Sequence, residues 1–209
     1  EVFWSSMVLF ASPLLARSIP FCSAFPDPDA PFGSVGSFFD ANLDATLASG
    51  SYEANPPFVP ILVEQMLERM MALLRRAAQL DDELLFCIII GASAGTRKHA
   101  AWEELMRAAS GAFGRAHWRL VLQKHGYLAG HAHIEKAADR RRMSSCDTSV
   151  VVLATDAAAR RWPAGPSAES TFRAACELAL PRRLKRPSHA MKARSRAKRA
   201  RSRGSVHSS

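Results

Sequence analysis

Seven consecutive apolar residues, Leu84-Leu85-Phe86-Cys87-Ile88-Ile89-Ile90, constrain the fold of this chain more than any other segment. A strand with one face in water alternates apolar and polar side chains, whereas an unbroken run needs cover on both faces, as in a parallel sheet. The preceding segment supplies such cover. Between residues 60 and 80, Leu62, Met66, Met70, Leu73 and Ala77 recur at spacings of three and four, with Glu64, Gln65, Glu68, Arg69, Arg75 and Arg76 opposite them. That pattern predicts an amphipathic helix packed on the sheet, and Pro60 suits its first turn.

The remaining segments extend the same plan. Ser6 to Phe10 is a short apolar strand that stops at Ala11-Ser12-Pro13, and Gly50 to Ala54 is a second strand that Pro56 and Pro57 must end, because proline donates nothing to a ladder. Residues 26–40, with Pro26, Pro28, Pro31, Gly33 and Gly36, are expected to be an ordered loop or an active-site cover. A helix is expected from Trp102 to Ala109, strands from Trp118 to Leu122 and from Ser149 to Leu153, and a last helix from Ala168 to Leu180. The sum is one α/β domain over residues 1–180, with its ligand at strand carboxyl ends. Trp102, Trp118 and Trp162 lie in or beside apolar segments and are expected in the core.

The formal charge of +9 is unevenly distributed. From Pro181 onward the chain holds eleven Lys or Arg and no acid, which leaves 17 basic against 19 acidic residues before it. Residues 181–209 thus read as a disordered basic tail on a slightly acidic body. Two readings of Lys192 to Arg203 stand: nuclear import or attraction to RNA phosphate on one side, an idle solvated tail on the other. Cys22, Cys87, Cys146 and Cys176 are far apart and form no Cys-x-x-Cys pair, so no disulfide framework is expected. The opening apolar run is too short for a membrane span and lacks the basic flank of a signal peptide, so a soluble, intracellular protein is expected. Glu1 stands directly in an expected strand, as in a fragment of a longer polypeptide.

Asn55-Pro56-Pro57-Phe58 falls between the second strand and the amphipathic helix. Taken alone it is either a plain turn or a site. As a site it offers the Asn55 carboxamide oxygen, a Pro56 carbonyl held by a stiff backbone, and the flat face of Phe58. Two acceptors and an aromatic face suit an extruded base bearing an amine, the stacking contributing roughly 1–3 kcal/mol.

The match extends beyond this loop. It takes in Phe10-Ala11-Ser12-Pro13, Phe21-Cys22-Ser23-Ala24-Phe25-Pro26-Asp27 with Asp29, Phe32-Gly33-Ser34 and Gly36-Ser37-Phe38. It continues through Ser51-Tyr52-Glu53-Ala54-Asn55-Pro56-Pro57-Phe58, Tyr127-x-x-Gly130-x-x-His133, Asp147-Thr148 and Arg161-Trp162-Pro163. In order and spacing these blocks resemble the phosphorylated-CTD-interacting-factor family, the cap-specific adenosine-N6 methyltransferases of messenger RNA. The resemblance implies a class I, Rossmann-like, S-adenosylmethionine-dependent methyltransferase fold, here the catalytic-domain portion in a truncated form. It further implies S-adenosylmethionine as donor, capped mRNA beginning in adenosine as acceptor, the nucleus as location, and the phosphorylated RNA polymerase II tail as a partner. No counterpart of the family's WW module or helical domain is expected in this sequence.

On that reading Asn55, Pro56, Pro57 and Phe58 are the catalytic loop. The adenine amine is a poor nucleophile because its lone pair is delocalised, and acceptors on both its hydrogens favour a pyramidal nitrogen. Phe10, Ala11, Ser12 and Pro13 resemble the first cofactor loop, where related enzymes have Ala-Ser-Pro-x-Asn; Leu15 stands at the Asn position. Asp27 and Asp29 either receive ribose hydroxyls or the methionine ammonium, or cap their own turn. Glu53 either orients Asn55 or contacts cofactor, or is a solvated edge carboxylate. Gly130 and His133 are expected to contact substrate phosphate or base. His131 and His133 have no third ligand at suitable local spacing, so no metal site is expected. Two rivals remain at this stage: a DNA adenine-N6 methyltransferase of the same chemistry, and a non-catalytic binding derivative of the fold.

Overall fold

A computed structural model describes residues 6–13, 16, 19–128 and 141–181. Leu15, Gly130, His131, His133 and the basic tail from residue 182 lie outside the described residues. Among the described residues seven strands form one sheet, in the order Ser34–Gly36, Phe21–Cys22, Met7–Val8, Gly50–Ala54, Leu84–Ala92, Asp147–Ala154, Gly114–Leu120. β1 (Met7–Val8), β2 (Phe21–Cys22), β3 (Ser34–Gly36), β4 (Gly50–Ala54) and β5 (Leu84–Ala92) are parallel to their neighbours within that run. β6 (Gly114–Leu120) points the same way, but β9 (Asp147–Ala154) lies between it and β5, antiparallel to both. A small hairpin, β7 (Gly126–Leu128) with β8 (Arg141–Met143), forms a separate antiparallel pair.

The run at Leu84 is the covered strand its composition demands, although only one of its two neighbours is parallel. Leu84, Phe86, Ile88 and Ile90 enter a core shared with α2 (Pro60–Gln79) and α3 (Ala100–Ala109), while Leu85 and Cys87 enter a second core on the opposite face. That second core is packed by α4 (Asp156–Arg161) and by Phe172 and Cys176 of α5 (Pro166–Leu178). Trp118 is buried, and Trp102 and Trp162 pack against the two cores, as expected.

α2 begins with Pro60, whose missing N–H costs nothing in a first turn. It buries Val63, Met66, Leu67, Met70, Leu73, Leu74 and Ala77 at helical spacing. Each large side chain among them contributes about 1.5–3 kcal/mol of apolar burial. The helix ends where Asp81 takes a positive φ of 54°. The Asp81 and Asp82 amides then bond back to the Ala78 and Ala77 carbonyls.

The expected loop over residues 26–40 instead holds three short elements: α1 (Pro26–Asp29), a 3-10 turn (Ala30–Phe32) and the edge strand β3. The prolines and glycines that signal a turn act here as terminators. Pro26 starts α1, and Gly33 and Gly36, at φ of 99° and 130°, bracket β3. Among the described residues, no helix is long and apolar enough to cross a membrane.

Candidate active site

Strand order reverses between β1 and β4, whose chain neighbours lie on opposite sides of the sheet, and ligands of open α/β sheets bind at such switch points beyond the strand carboxyl ends. A cleft of about 520 Å³ lies at this place. Its walls come from the ends of four strands: Phe10 and Ser12 after β1, Ser23 after β2, Phe38 and Phe39 after β3, Asn55 and Pro57 after β4. A larger hollow of about 700 Å³ between α2 and α3 is lined by Glu64, Glu68, Arg75, Glu104 and Arg107 and includes none of the Asn-Pro-Pro-Phe residues. The convergence of strand ends makes the smaller cleft the candidate site.

Phe10, Phe38 and Phe39 form an aromatic wall, with ring centroids 5.4–6.0 Å apart. Arg69 of α2 holds that wall from behind. Its guanidinium lies 5.5 Å from the Phe38 ring centroid, donates to the Asp40 carbonyl at 2.8 Å and pairs with Asp44 at 2.6 Å. Its Nε is buried and has no hydrogen-bond partner. Cys22 also lines the cleft, and burial pushes its thiol up to about 11, against a smaller opposing pull from Arg69. The thiol is therefore neutral and unreactive near neutral pH.

The Asn-Pro-Pro-Phe loop has two sides. Asn55 and Pro57 face the cleft, while Phe58 packs on the α2 core and lies 5.9 Å, centroid to centroid, from the ring of His99. Pro56 is buried between them in sequence. His99 belongs to the β5–α3 connection, whose turn is fixed by Ser93: its Oγ accepts from the Thr96 amide at 3.1 Å and lies 2.8 Å from Thr96 Oγ1.

Farther along the same edge, the buried Asp147 carboxylate accepts from the Leu122 amide at 2.9 Å and meets Arg119 at 2.5 Å and Arg97 at 3.4 Å. The Leu122 amide first, then the Arg119 and Arg97 donors, hold its carboxyl below the usual carboxylate range.

Of the residues expected from sequence, Phe10, Ala11, Ser12, Asn55 and Pro57 line the cleft, and Phe58 flanks it. Pro13 does not line it. Asp27 and Asp29 sit in α1, outside the lining, and no side chain caps that helix. Glu53 is also outside the lining; it pairs in register with Val8 and Cys87, and burial raises its carboxyl. Sequence reasoning missed Ser37, Phe38, Phe39 and Arg69 as site residues, although Ser37 and Phe38 lie in a block that carries the family resemblance. Phe39 follows a three-residue strand too short to show a period, and Arg69 read as a polar-face residue of α2.

A family model described as "Phosphorylated CTD interacting factor 1 WW domain" matches residues 1–130. In this chain that stretch carries the parallel strands and α2 and α3. The mouse protein named mRNA (2'-O-methyladenosine-N(6)-)-methyltransferase is 33% identical over 174 residues, covering 81% of this chain and 22% of its own length. The human protein of the same name is 32% identical over 171 residues, covering 79% of this chain and again 22% of its own. The chain thus spans under a quarter of these relatives.

Proposed function

Since the chain belongs to the phosphorylated CTD interacting factor family, we propose that it transfers a methyl group from S-adenosylmethionine to N6 of adenosine in RNA. The acceptor we favour is the cap-adjacent 2'-O-methyladenosine of mRNA, in the nucleus, with the phosphorylated polymerase tail as a recruiting partner. The observation that carries this reading is the two-sidedness of the Asn-Pro-Pro-Phe loop, with Asn55 on the cleft and Phe58 on the other flank. The sheet order supports a class I methyltransferase fold: a doubly wound order with one antiparallel strand let in before the last.

The cleft suits the cofactor in size and in lining, being largely apolar with a few hydroxyls. Phe10, Phe38 and Phe39 would hold its purine, and Ser12 and Ser37 its polar groups. Bound there, S-adenosylmethionine supplies an electrophilic methyl on a sulfonium. The chain's own residues do the rest. Phe58 stacks the extruded base, and the Asn55 carboxamide oxygen and Pro56 carbonyl accept the two amine hydrogens, so that the nitrogen lone pair is localised and aimed. The methylated amine is acidic enough to lose its proton to water, and no general base is needed.

The test uses labelled S-adenosylmethionine with capped RNA beginning in adenosine, uncapped RNA, RNA with internal adenosine, and DNA. Wild-type chain labels N6 of the capped RNA. Asn55→Ala loses at least about 10²-fold in turnover and keeps its calorimetric cofactor affinity. Undiminished turnover in that variant sinks the mechanism. Label on DNA alone assigns the chain to the DNA enzymes, and folded wild-type chain that binds no cofactor is a non-catalytic derivative.

A further inference from the structure

Five other arginines of the described chain each pair with a carboxylate of their own. Arg69 has Asp44, Arg115 has Asp156, Arg160 has Asp81, Arg161 has Glu83 and Arg173 has Glu169. At Asp147 two arginines share one carboxylate. The acid is sealed, with 2% of its side chain exposed, whereas Arg97 and Arg119 are 40% and 61% exposed. Lys98, next in sequence, is also exposed. Two cations thus share one buried anion, with a third next in sequence to Arg97, on a body whose acids outnumber its bases before the tail. A buried carboxylate of this kind fixes the guanidiniums in place while leaving the local surface positive.

The position of this cluster gives it a use. Lys98 is followed directly by His99, whose ring abuts Phe58 of the catalytic loop. Cations next to aromatic rings are the composition of a single-strand nucleic acid track, in which bases stack and the backbone meets positive charge.

We propose that Arg97, Lys98 and Arg119 seat the RNA backbone phosphate beside the target adenosine, with Asp147 aiming the arginines and His99 extending the stacking face of Phe58. The assignment rests on the RNA reading above. It makes Asp147 a positioning residue and the three cations substrate contacts.

The experiment compares the full 209-residue chain with Arg97→Gln/Lys98→Ala, which leaves the Arg119–Asp147 pair intact. Arg75→Gln/Arg76→Ala on the exposed side of α2 is a charge-matched control. RNA affinity across a salt series, KM for RNA, kcat at saturating RNA and calorimetric cofactor binding are the readouts.

The site variant should raise the RNA Kd and KM by about tenfold at moderate salt and reduce the salt slope by about 1.4, since each phosphate contact to a single strand contributes about 0.7. Its kcat and cofactor affinity should stay within about twofold of wild type, as phosphate contacts position and do not react. The control should match wild type. Should the double variant melt early, Lys98→Ala alone carries the test with half the slope change.

Wild-type chain that methylates RNA while the site variant keeps its Kd and slope overturns the proposal. So does an equal loss in the control. Wild-type chain that neither binds nor methylates RNA removes the reading beneath it.

Discussion

Asp147 concentrates the electrostatics of the folded chain in one carboxylate. Its carboxyl titrates near 3.8 when unfolded and lower when folded, so between the two values the folded group stays ionised while the unfolded chain takes up a proton. Its stabilising contribution is present above the unfolded value and is lost as pH falls through the folded one. Asp147→Asn should be less stable than wild type at pH 7, and the gap between their urea midpoints should narrow as pH falls below the ordinary aspartate value. A constant gap between the two proteins would show that the charge is not what stabilises. Glu53 works in the opposite sense, because burial raises its carboxyl and protonation favours the folded form. It is common to both proteins and cancels from the comparison. At this scale Asn55 to Phe58 were legible because two prolines punctuate them. The Asp147 cluster was not, since its members are brought together from positions 97, 119 and 147 only by the fold.

Among the elements, α2 shows where local chemistry is not optimised. Its last turn closes with paired bonds from Asp82 to the Ala77 carbonyl and from Asp81 to the Ala78 carbonyl, the arrangement in which glycine is the usual residue at the left-handed position. Asp81 occupies that position at φ 54°. Asp81→Gly should therefore raise stability by about 0.5–1 kcal/mol. The lost Arg160–Asp81 pair is highly exposed at both ends and offsets little of this. A denaturation midpoint at or below wild type would refute it. Elements with a period were legible: α2 from its apolar spacing, β4 from the prolines after it, β5 from its unbroken run. β2 and β3, two and three residues long, leave no period to read. The direction of β9 was hidden for a different reason, since Val150 to Leu153 would have the same apolar composition in either orientation.

For the whole molecule, the proposed RNA contact has two separable sources, the folded cluster at Asp147 and the basic residues after Pro181. Deleting residues 182–209 leaves 17 basic against 19 acidic residues. The shortened chain should bind RNA more weakly at low salt, with a flatter salt dependence, yet keep the affinity difference between wild type and Arg97→Gln/Lys98→Ala. If the deletion erases that difference, the tail and the cluster act as one contact. The position of β9 between β5 and β6 also sets an order of assembly. Among the described residues β6 pairs with β9 alone, in a segment that begins at Asp147, after the α/β unit from β4 to α3 has already emerged. A nascent chain can pair β4 with β5 early, but the two strands that sandwich β9 must wait for it. Completion of the sheet is thus a late event in synthesis, and until then β5 and β6 expose paired-ready edges to chaperones or to other chains.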